Sequence, residues 1–195
     1  LARPAPDRAV TQRGQTTVVD VLANDYATNP FPDVPLRVVA IQGLDGASLP
    51  PGVSITPNAD RSRLSVTVSD TAEPVDVTLQ YQVADATGDP ERYTWGLVTI
   101  SVQDVPDPVS NLRVTEFGDR LLRLSWAPGP FNNSPITEYR VTALDTTGAV
   151  ASTTICTITA GCAVTTPGNG PDHALRLSVV AVNALGESDP TQLPG

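Results

Sequence analysis

Two cysteines and one histidine are the side chains of this sequence with the most distinctive chemistry. Cys156 and Cys162 are separated by five residues, and His173 lies eleven positions further on. A local disulfide is the simplest interpretation, and two free thiols are the alternative, whereas a zinc site would lack ligands. Because a structural disulfide persists in an oxidising compartment, the pair favours an exported protein found outside the cell or on its surface.

The same residues give little support to catalysis. A serine triad needs a histidine base, and His173 in GPDHA stands beside Asp172 without a strained serine turn of the GxSxG type. Paired carboxylates for glycoside cleavage need a deep cleft, and the small β-sandwiches that the strand pattern predicts below do not offer one. No glycine-rich phosphate loop precedes a helix. We therefore predict no catalytic residue and no cofactor, and we expect that this chain is not an enzyme.

Three aspartates are weak candidates for a calcium site. Asp25 follows Asn24 at the end of a β-branched run, while Asp104 and Asp107 lie in the segment DVPDP. Calcium takes six to eight oxygen ligands, so these carboxylates could join at a domain junction. The interpretation that we favour is an Asx-type turn at Asn24 and Asp25, which needs no metal.

Composition and charge indicate the fold class and exclude some partners. Aromatic residues are 5% of the chain, every basic residue is arginine, and Val, Thr, Pro, Gly and Ala are frequent, as in short strands broken by turns. We predict an all-β protein and attribute the arginine bias to a GC-rich genome. The net charge of −9 opposes binding to nucleic acid. No apolar run reaches the roughly 20 residues of a membrane span, and we expect a monomer.

Alternating apolar residues predict the strands that position these side chains. In the first half, residues 75–83 and 96–102 alternate strictly, so one side of each strand should be buried. In the second half the same pattern places Trp126, Tyr139 and Leu175 in the core. Strands at this spacing predict β-sandwiches.

The proline-rich segment 104–108 marks a boundary between two domains. The chain of 195 residues suits two domains of about 100 residues each, which we place at 1–104 and 105–195. A short connection that is rich in proline acts as a semi-rigid spacer. We therefore expect two tandem sandwiches whose relative bending is limited.

The second half resembles the fibronectin type III family over residues 106–195. Pro108, Leu-x-Leu-x-Trp at 122–126, Pro-Ile-x-x-Tyr-x-Val at 135–141 and the motif at 179–188 carry the resemblance. The two cysteines look like the pair of many bacterial members. The family usually has a tyrosine six positions before the alanine of Val-x-Ala-x-Asn, and here that position is Leu175. The resemblance therefore implies a missing tyrosine-corner hydrogen bond, for which the disulfide compensates.

The first half is similar to bacterial cadherin-like or immunoglobulin-like repeats. The motifs that carry this similarity are VLAND at 21–25, Tyr81-x-Val83-x-Asp85 and the alternating strand at 96–102. In many such repeats the loop after Asn-Asp is rich in aspartate and resembles a calcium site. Here most of those carboxylates are missing.

Three functions remain open at this point. The first is a structural or adhesive spacer in an exported surface protein of actinobacterial type. The second is an accessory region of a secreted polysaccharide-degrading enzyme, and the third is a module that binds carbohydrate or protein. For the third function, five aromatic residues are candidates for stacking on a sugar or a peptide: Tyr26, Phe31, Tyr93, Trp95 and Phe131. Trp95 is the most suggestive of them, although packing against the linker is the role that we favour for it.

Overall fold

The computed structural model describes residues 1–157 and 161–194. Within them the regular elements are fifteen β-strands and four short 3₁₀ turns, without an α-helix. The all-β prediction is confirmed, and β-branched runs interrupted by proline and glycine explain it, because both breakers disfavour helix. No helix in this part of the chain has the length and apolar character that a bilayer crossing requires.

The chain folds as two compact units, Leu1–Gln103 and Asp104–Gly195. In unit 1 one sheet has the order β1-β7-β6-β3 and the other β2-β5-β4. β1 runs parallel to β7, and the other pairs are antiparallel. The strands are β1 Asp7–Gln12, β2 Thr16–Val19, β3 Arg37–Gly43, β4 Val53–Pro57, β5 Leu64–Val68, β6 Asp76–Ala84 and β7 Thr94–Gln103.

The core of unit 1 follows the alternation seen in the sequence. Leu79, Tyr81 and Val83 of β6 are buried, as are Val98 and Ile100 of β7. Side chains of a strand point alternately to its two faces, so one apolar set from each strand fills the space between the sheets. The sequence therefore predicts correctly which face of β6 and β7 is buried.

β1 is a strand that the alternation did not reveal. Its sequence is DRAVTQ, in which Ala9 packs against the core, Thr11 is buried and Val10 is exposed. A small residue and a polar residue on the inward side give a weak apolar signal. β1 nevertheless pairs with β7 over its whole length, from Asp7 opposite Val98 to Gln12 opposite Gln103.

Unit 2 is also built from two sheets. One sheet has the order β12-β9-β8, and the other has the order β11-β10-β13-β14, with β15 also paired to β13. The strands are β8 Ser110–Gly118, β9 Leu121–Ala127, β10 Glu138–Leu144, β11 Val150–Cys156, β12 Gly161–Thr165, β13 Arg176–Asn183, β14 Gly186–Glu187 and β15 Thr191–Gln192.

Two aromatic rings form the centre of unit 2. Trp126 of β9 and Tyr139 of β10 are buried, and their ring centroids lie 5.3 Å apart with the planes tilted by 60°. A tilted ring pair adds a favourable contact to the apolar area that the two side chains bury. Leu175 packs against the same core from its margin and is half-buried.

Gly96 allows the Tyr81 side chain to lie close to β7. A Cβ atom at position 96 would lie 2.5 Å from Cζ of Tyr81 and 2.6 Å from Cβ of Pro4. Neither atom can move away easily, because the surrounding side chains are closely packed. The requirement for glycine here comes from close approach, since no side chain fits.

We expect Gly96→Ala to destabilise unit 1 by about 1–3 kcal/mol, because the added methyl group overpacks the site. Leu97→Ala is the matched control, since the neighbouring side chain is exposed, and its effect should stay within about 0.5 kcal/mol. Urea denaturation of both variants measures the difference. Equal effects would show that position 96 is not crowded.

Candidate functional site

The hydroxyl of Tyr81 is the centre of a polar cluster inside unit 1. It lies 2.8 Å from Oδ2 of Asp7, 3.0 Å from Oδ2 of Asp25 and 3.1 Å from the Val21 carbonyl oxygen. The Ala5 carbonyl oxygen is 3.3 Å away, and the Ala5 amide donates to Oδ1 of Asp25 at 2.7 Å. A phenol has one proton to donate, so it cannot satisfy four oxygen acceptors.

This cluster corrects the Asx-type turn that the sequence favoured at Asn24 and Asp25. Asp25 precedes the 3₁₀ turn Tyr26–Thr28, but its side chain makes no capping hydrogen bond to that turn. Asp25 is instead buried, with 1% of the residue exposed, and its carboxylate accepts from the Tyr81 hydroxyl, while Nδ2 of Asn24 donates to the Pro6 carbonyl oxygen at 3.3 Å. The Asp25 carboxylate thus bonds to residues distant in the sequence and not to the neighbouring amides of a turn. The residues around Asp25 give no indication of such distant partners.

Burial is the largest influence on the acid groups of the cluster. It raises the pKa of Asp7 to about 6, and the negative charge of Asp25 adds to this effect, although the Tyr81 hydrogen bond lowers it. Burial also raises the pKa of Asp25 and that of Tyr81. Tyr81 therefore stays a neutral phenol, and the two carboxyls hold a proton more readily than free aspartate does.

The other two calcium candidates lie in unit 2 and already have hydrogen-bond donors. Oδ1 of Asp104 accepts from the Val105 amide at 2.8 Å, and Oδ1 of Asp107 accepts from Nδ2 of Asn132 at 3.0 Å. In the described residues no group of three or more histidine, cysteine, aspartate and glutamate side chains is placed to hold a metal ion. Calcium binding by Asp25, Asp104 and Asp107, which the sequence permits without predicting it, is not tested by these contacts.

Two asparagine side chains hold the proline-rich segment against unit 2. Nδ2 of Asn183 donates to the carbonyl oxygen of Asp104 at 2.8 Å, and Nδ2 of Asn132 donates to that of Val105 at 2.8 Å. Asn183 is the last residue of the Val-x-Ala-x-Asn motif, and it is buried. Burial removes the hydrogen bonds that these backbone carbonyls would make to water, and the Asn183 amide replaces them. The segment therefore belongs structurally to unit 2.

The cysteines and the histidine take non-catalytic positions. Cys156 and Cys162 form a disulfide with a Cα to Cα distance of 6.0 Å. Cys156 ends β11 and Cys162 lies in β12, so the bond joins edge strands of the two different sheets. His173 is exposed in the 3₁₀ turn Pro171–His173, where its ring lies close to Gly168.

Comparison with known proteins identifies unit 2. The profile of the Fibronectin type III domain matches residues 107–194. These residues form a fibronectin type III domain. The sequence resemblance over 106–195 is thereby confirmed, whereas the cadherin-like or immunoglobulin-like identity of residues 1–104 stays a prediction.

Similar proteins include cell adhesion molecules of animals. Neural cell adhesion molecule L1 of Takifugu rubripes is 34% identical over 96 residues, which are 49% of this chain and 8% of that protein. Neural cell adhesion molecule L1.1 of Danio rerio is 50% identical over 40 residues, which are 20% of this chain and 3% of that protein. The chain thus spans less than a tenth of the length of these relatives.

Among solved structures, domains A168–A170 of titin have the same fold. They superpose with a TM-score of 0.59 at 18% identity, covering 94% of this chain and 58% of that chain. At this identity the likeness concerns the fold alone. It supports tandem sandwich architecture for the chain.

The fibronectin type III domain has open space beside the position of its missing tyrosine. Leu175 lines three hollows of about 380, 230 and 470 Å³. Phe117 lines two of them and is 78% exposed, although it lies opposite Leu122 in the β8–β9 pair. A leucine at position 175 therefore leaves apolar surface accessible at this end of the sandwich.

Because of the Asp7 carboxyl, we expect the free energy of unfolding of unit 1 to depend on pH. Its pKa is raised in the folded state, so folding favours the protonated form, and stability should fall as pH rises from about 4 to about 7, by on the order of 1–3 kcal/mol. Thermal unfolding across this range measures the slope. Asp7→Asn should reduce this slope, with a remainder from Asp25, whose pKa is also raised, whereas Asp33→Asn, at an exposed site in the same unit, should leave it unchanged. A slope unchanged in Asp7→Asn would contradict the assignment.

Leu175→Tyr should stabilise the fibronectin type III domain by filling part of the open space and restoring the tyrosine-corner hydrogen bond. Leu175→Phe is the matched control, because it adds the ring without the hydroxyl. We expect the tyrosine variant to exceed the phenylalanine variant by about 1 kcal/mol in urea denaturation. Equal stability of the two would show that no corner hydrogen bond forms.

Proposed function

We propose that this chain is a non-catalytic, force-bearing spacer in an extracellular protein of the adhesion type. A fibronectin type III domain is typical of adhesion and spacer modules, and the relatives from Takifugu rubripes and Danio rerio are cell adhesion molecules. The disulfide suits an oxidising compartment. These observations support an extracellular location and a role without catalysis.

The observation that carries the spacer function is the pairing of the first and last strands of unit 1. β1 and β7 are parallel neighbours over six residue pairs, from Asp7 opposite Val98 to Gln12 opposite Gln103. When the two ends of unit 1 are pulled apart, parallel terminal strands slide along each other. The interstrand hydrogen bonds are then loaded together, because they lie across the direction of pull.

Unit 2 has different terminal pairings in its described residues. Its first strand, β8, pairs with β9, and its last strands, β14 and β15, pair with β13. The hydroxyl of Thr191 in β15 donates to the carbonyl oxygen of Val109, directly before β8, at 2.6 Å, so a side-chain hydrogen bond and not a continuous strand pairing joins these terminal segments. The two units should therefore resist force to different degrees, with unit 1 the stronger.

The proposal includes an exported bacterial surface protein as the source of this chain. Arginine as the only basic residue supports this part, since it suggests a GC-rich genome. The relatives described above are animal proteins, and their similarity concerns the adhesion-type module.

Single-molecule force spectroscopy tests the proposal. When the chain is stretched from its two ends, we expect two unfolding steps of about 30 nm each, because about 100 residues at roughly 3.5 Å per residue extend to about 35 nm, and the folded unit already spans a few nanometres of that length. The step at higher force should belong to unit 1. Two steps at the same low force would contradict a force-bearing role for the β1–β7 pair.

Matched proline variants identify the strand pair that resists. Val10 of β1 and Val18 of β2 are both exposed valines in short strands of unit 1. Proline removes a backbone donor from a strand, so Val10→Pro should lower the upper unfolding force markedly. Val18→Pro should lower it less, because β2 lies in the other sheet. The reverse order would place the resistance elsewhere.

A further inference from the structure

The outward face of the sheet β1-β7-β6-β3 has a patch of amide and aromatic side chains. The strand register places Gln82 opposite Trp95, and it places Gln80 between Gln42 and Leu97. Nε2 of Gln42 donates to Oε1 of Gln80 at 3.1 Å. Trp95 is 42% exposed and Leu97 is 41% exposed, although both lie within a strand. We call these five residues the amide face.

The amide face carries no charged side chain among its five residues. Along the strands it is followed by the hydroxyls of Thr78 and Thr99, which lie 3.0 Å apart. Beyond them Asp76 pairs with Arg8 at 3.2 Å. The charges of this end of the sheet therefore lie at the rim and neutralise each other.

The dimensions of the amide face suit an extended ligand. Neighbouring strands lie about 4.8 Å apart, and residues two positions apart on a strand are separated by about 6.8 Å. The two residue rows of the amide face, across three strands, cover roughly 10 by 7 Å, and the adjoining row of Thr78 and Thr99 extends this surface to roughly 10 by 14 Å. A short run of sugar rings can lie across such a surface.

The side-chain chemistry distinguishes between ligand classes. The face of an indole ring packs well against flat apolar surface such as the C–H face of a sugar. A glutamine amide offers donors and an acceptor together, which matches adjacent hydroxyl groups. An anionic ligand would meet a chain of net charge −9 without a cation on the amide face, and a cationic ligand would find no carboxylate there. A protein partner would find only two large apolar side chains, fewer than a stable interface core needs.

We propose that the amide face binds a neutral carbohydrate, with Trp95 stacking on a sugar ring and the glutamines bonding its hydroxyl groups. This binding goes beyond the spacer function and does not depend on it, since the force resistance of unit 1 uses the β1–β7 backbone pairing. The bound glycan would lie on the sheet surface in the manner of an extended chain.

Titration calorimetry with defined oligosaccharides tests the proposal. The probes are cellohexaose, xylohexaose and mannohexaose, with polygalacturonate as the anionic comparison. We expect at least one neutral probe to bind with a Kd below about 1 mM, as is reasonable for one stacking residue and a few hydrogen bonds. Trp95→Ala should weaken binding by about tenfold or more, and Gln82→Ala by a smaller factor.

Val10→Ala is the control variant, because Val10 is exposed on the same sheet face at the opposite end. It should leave the Kd unchanged, and all variants should keep the melting temperature of the parent chain, since the changed side chains are exposed or half-buried. Absence of binding to all three neutral probes at about 5 mM would overturn the proposal, as would tighter binding of polygalacturonate. Self-association that Trp95→Ala abolishes would also overturn it, by assigning the face to a second copy of this chain.

Discussion

The contacts of the Tyr81 hydroxyl are the constraint on which unit 1 depends most. They join the N-terminal segment at Ala5, the start of β1 at Asp7 and the turn at Asp25 to the middle of β6. These segments are far apart in the sequence, so the cluster closes long loops at one point. The parallel pairing of β1 with β7 begins at Asp7, beside this point. The strand pair that we consider force-bearing is therefore anchored by a buried polar cluster.

In unit 2 neutral side chains fix the first residues of the domain. Asn183 and Asn132 bind backbone carbonyls of the proline-rich segment, which has few amide donors of its own. The side-chain amide of asparagine does not titrate near neutral pH, so these hydrogen bonds do not change with pH in that range. The two units are thus fixed at their first residues by different chemistry, acidic in one and neutral in the other.

Sequence patterns predicted what depends on alternation and missed what depends on distant contacts. Trp126 and Tyr139 could be assigned to the core because period two shows which side of a strand is buried. The family pattern showed that Leu175 occupies the position where fibronectin type III domains usually have a tyrosine. The role of Asp25 could not be predicted, because its hydrogen-bond partners, the Tyr81 hydroxyl and the Ala5 amide, are distant from it in the sequence. Trp95 was identified as an aromatic candidate, but its glutamine neighbours emerge only from the register of β3, β6 and β7.

The disulfide has a consequence for cleavage of the chain. Cys156 and Cys162 close a ring of backbone between edge strands of opposite sheets. A protease that cuts inside this ring leaves both new ends covalently attached to the same molecule. The cut protein therefore migrates as one molecule of nearly unchanged mass under non-reducing conditions, and it separates into two fragments only after reduction. In an extracellular setting rich in proteases, a single cut there would not sever the tether between whatever precedes and follows this domain.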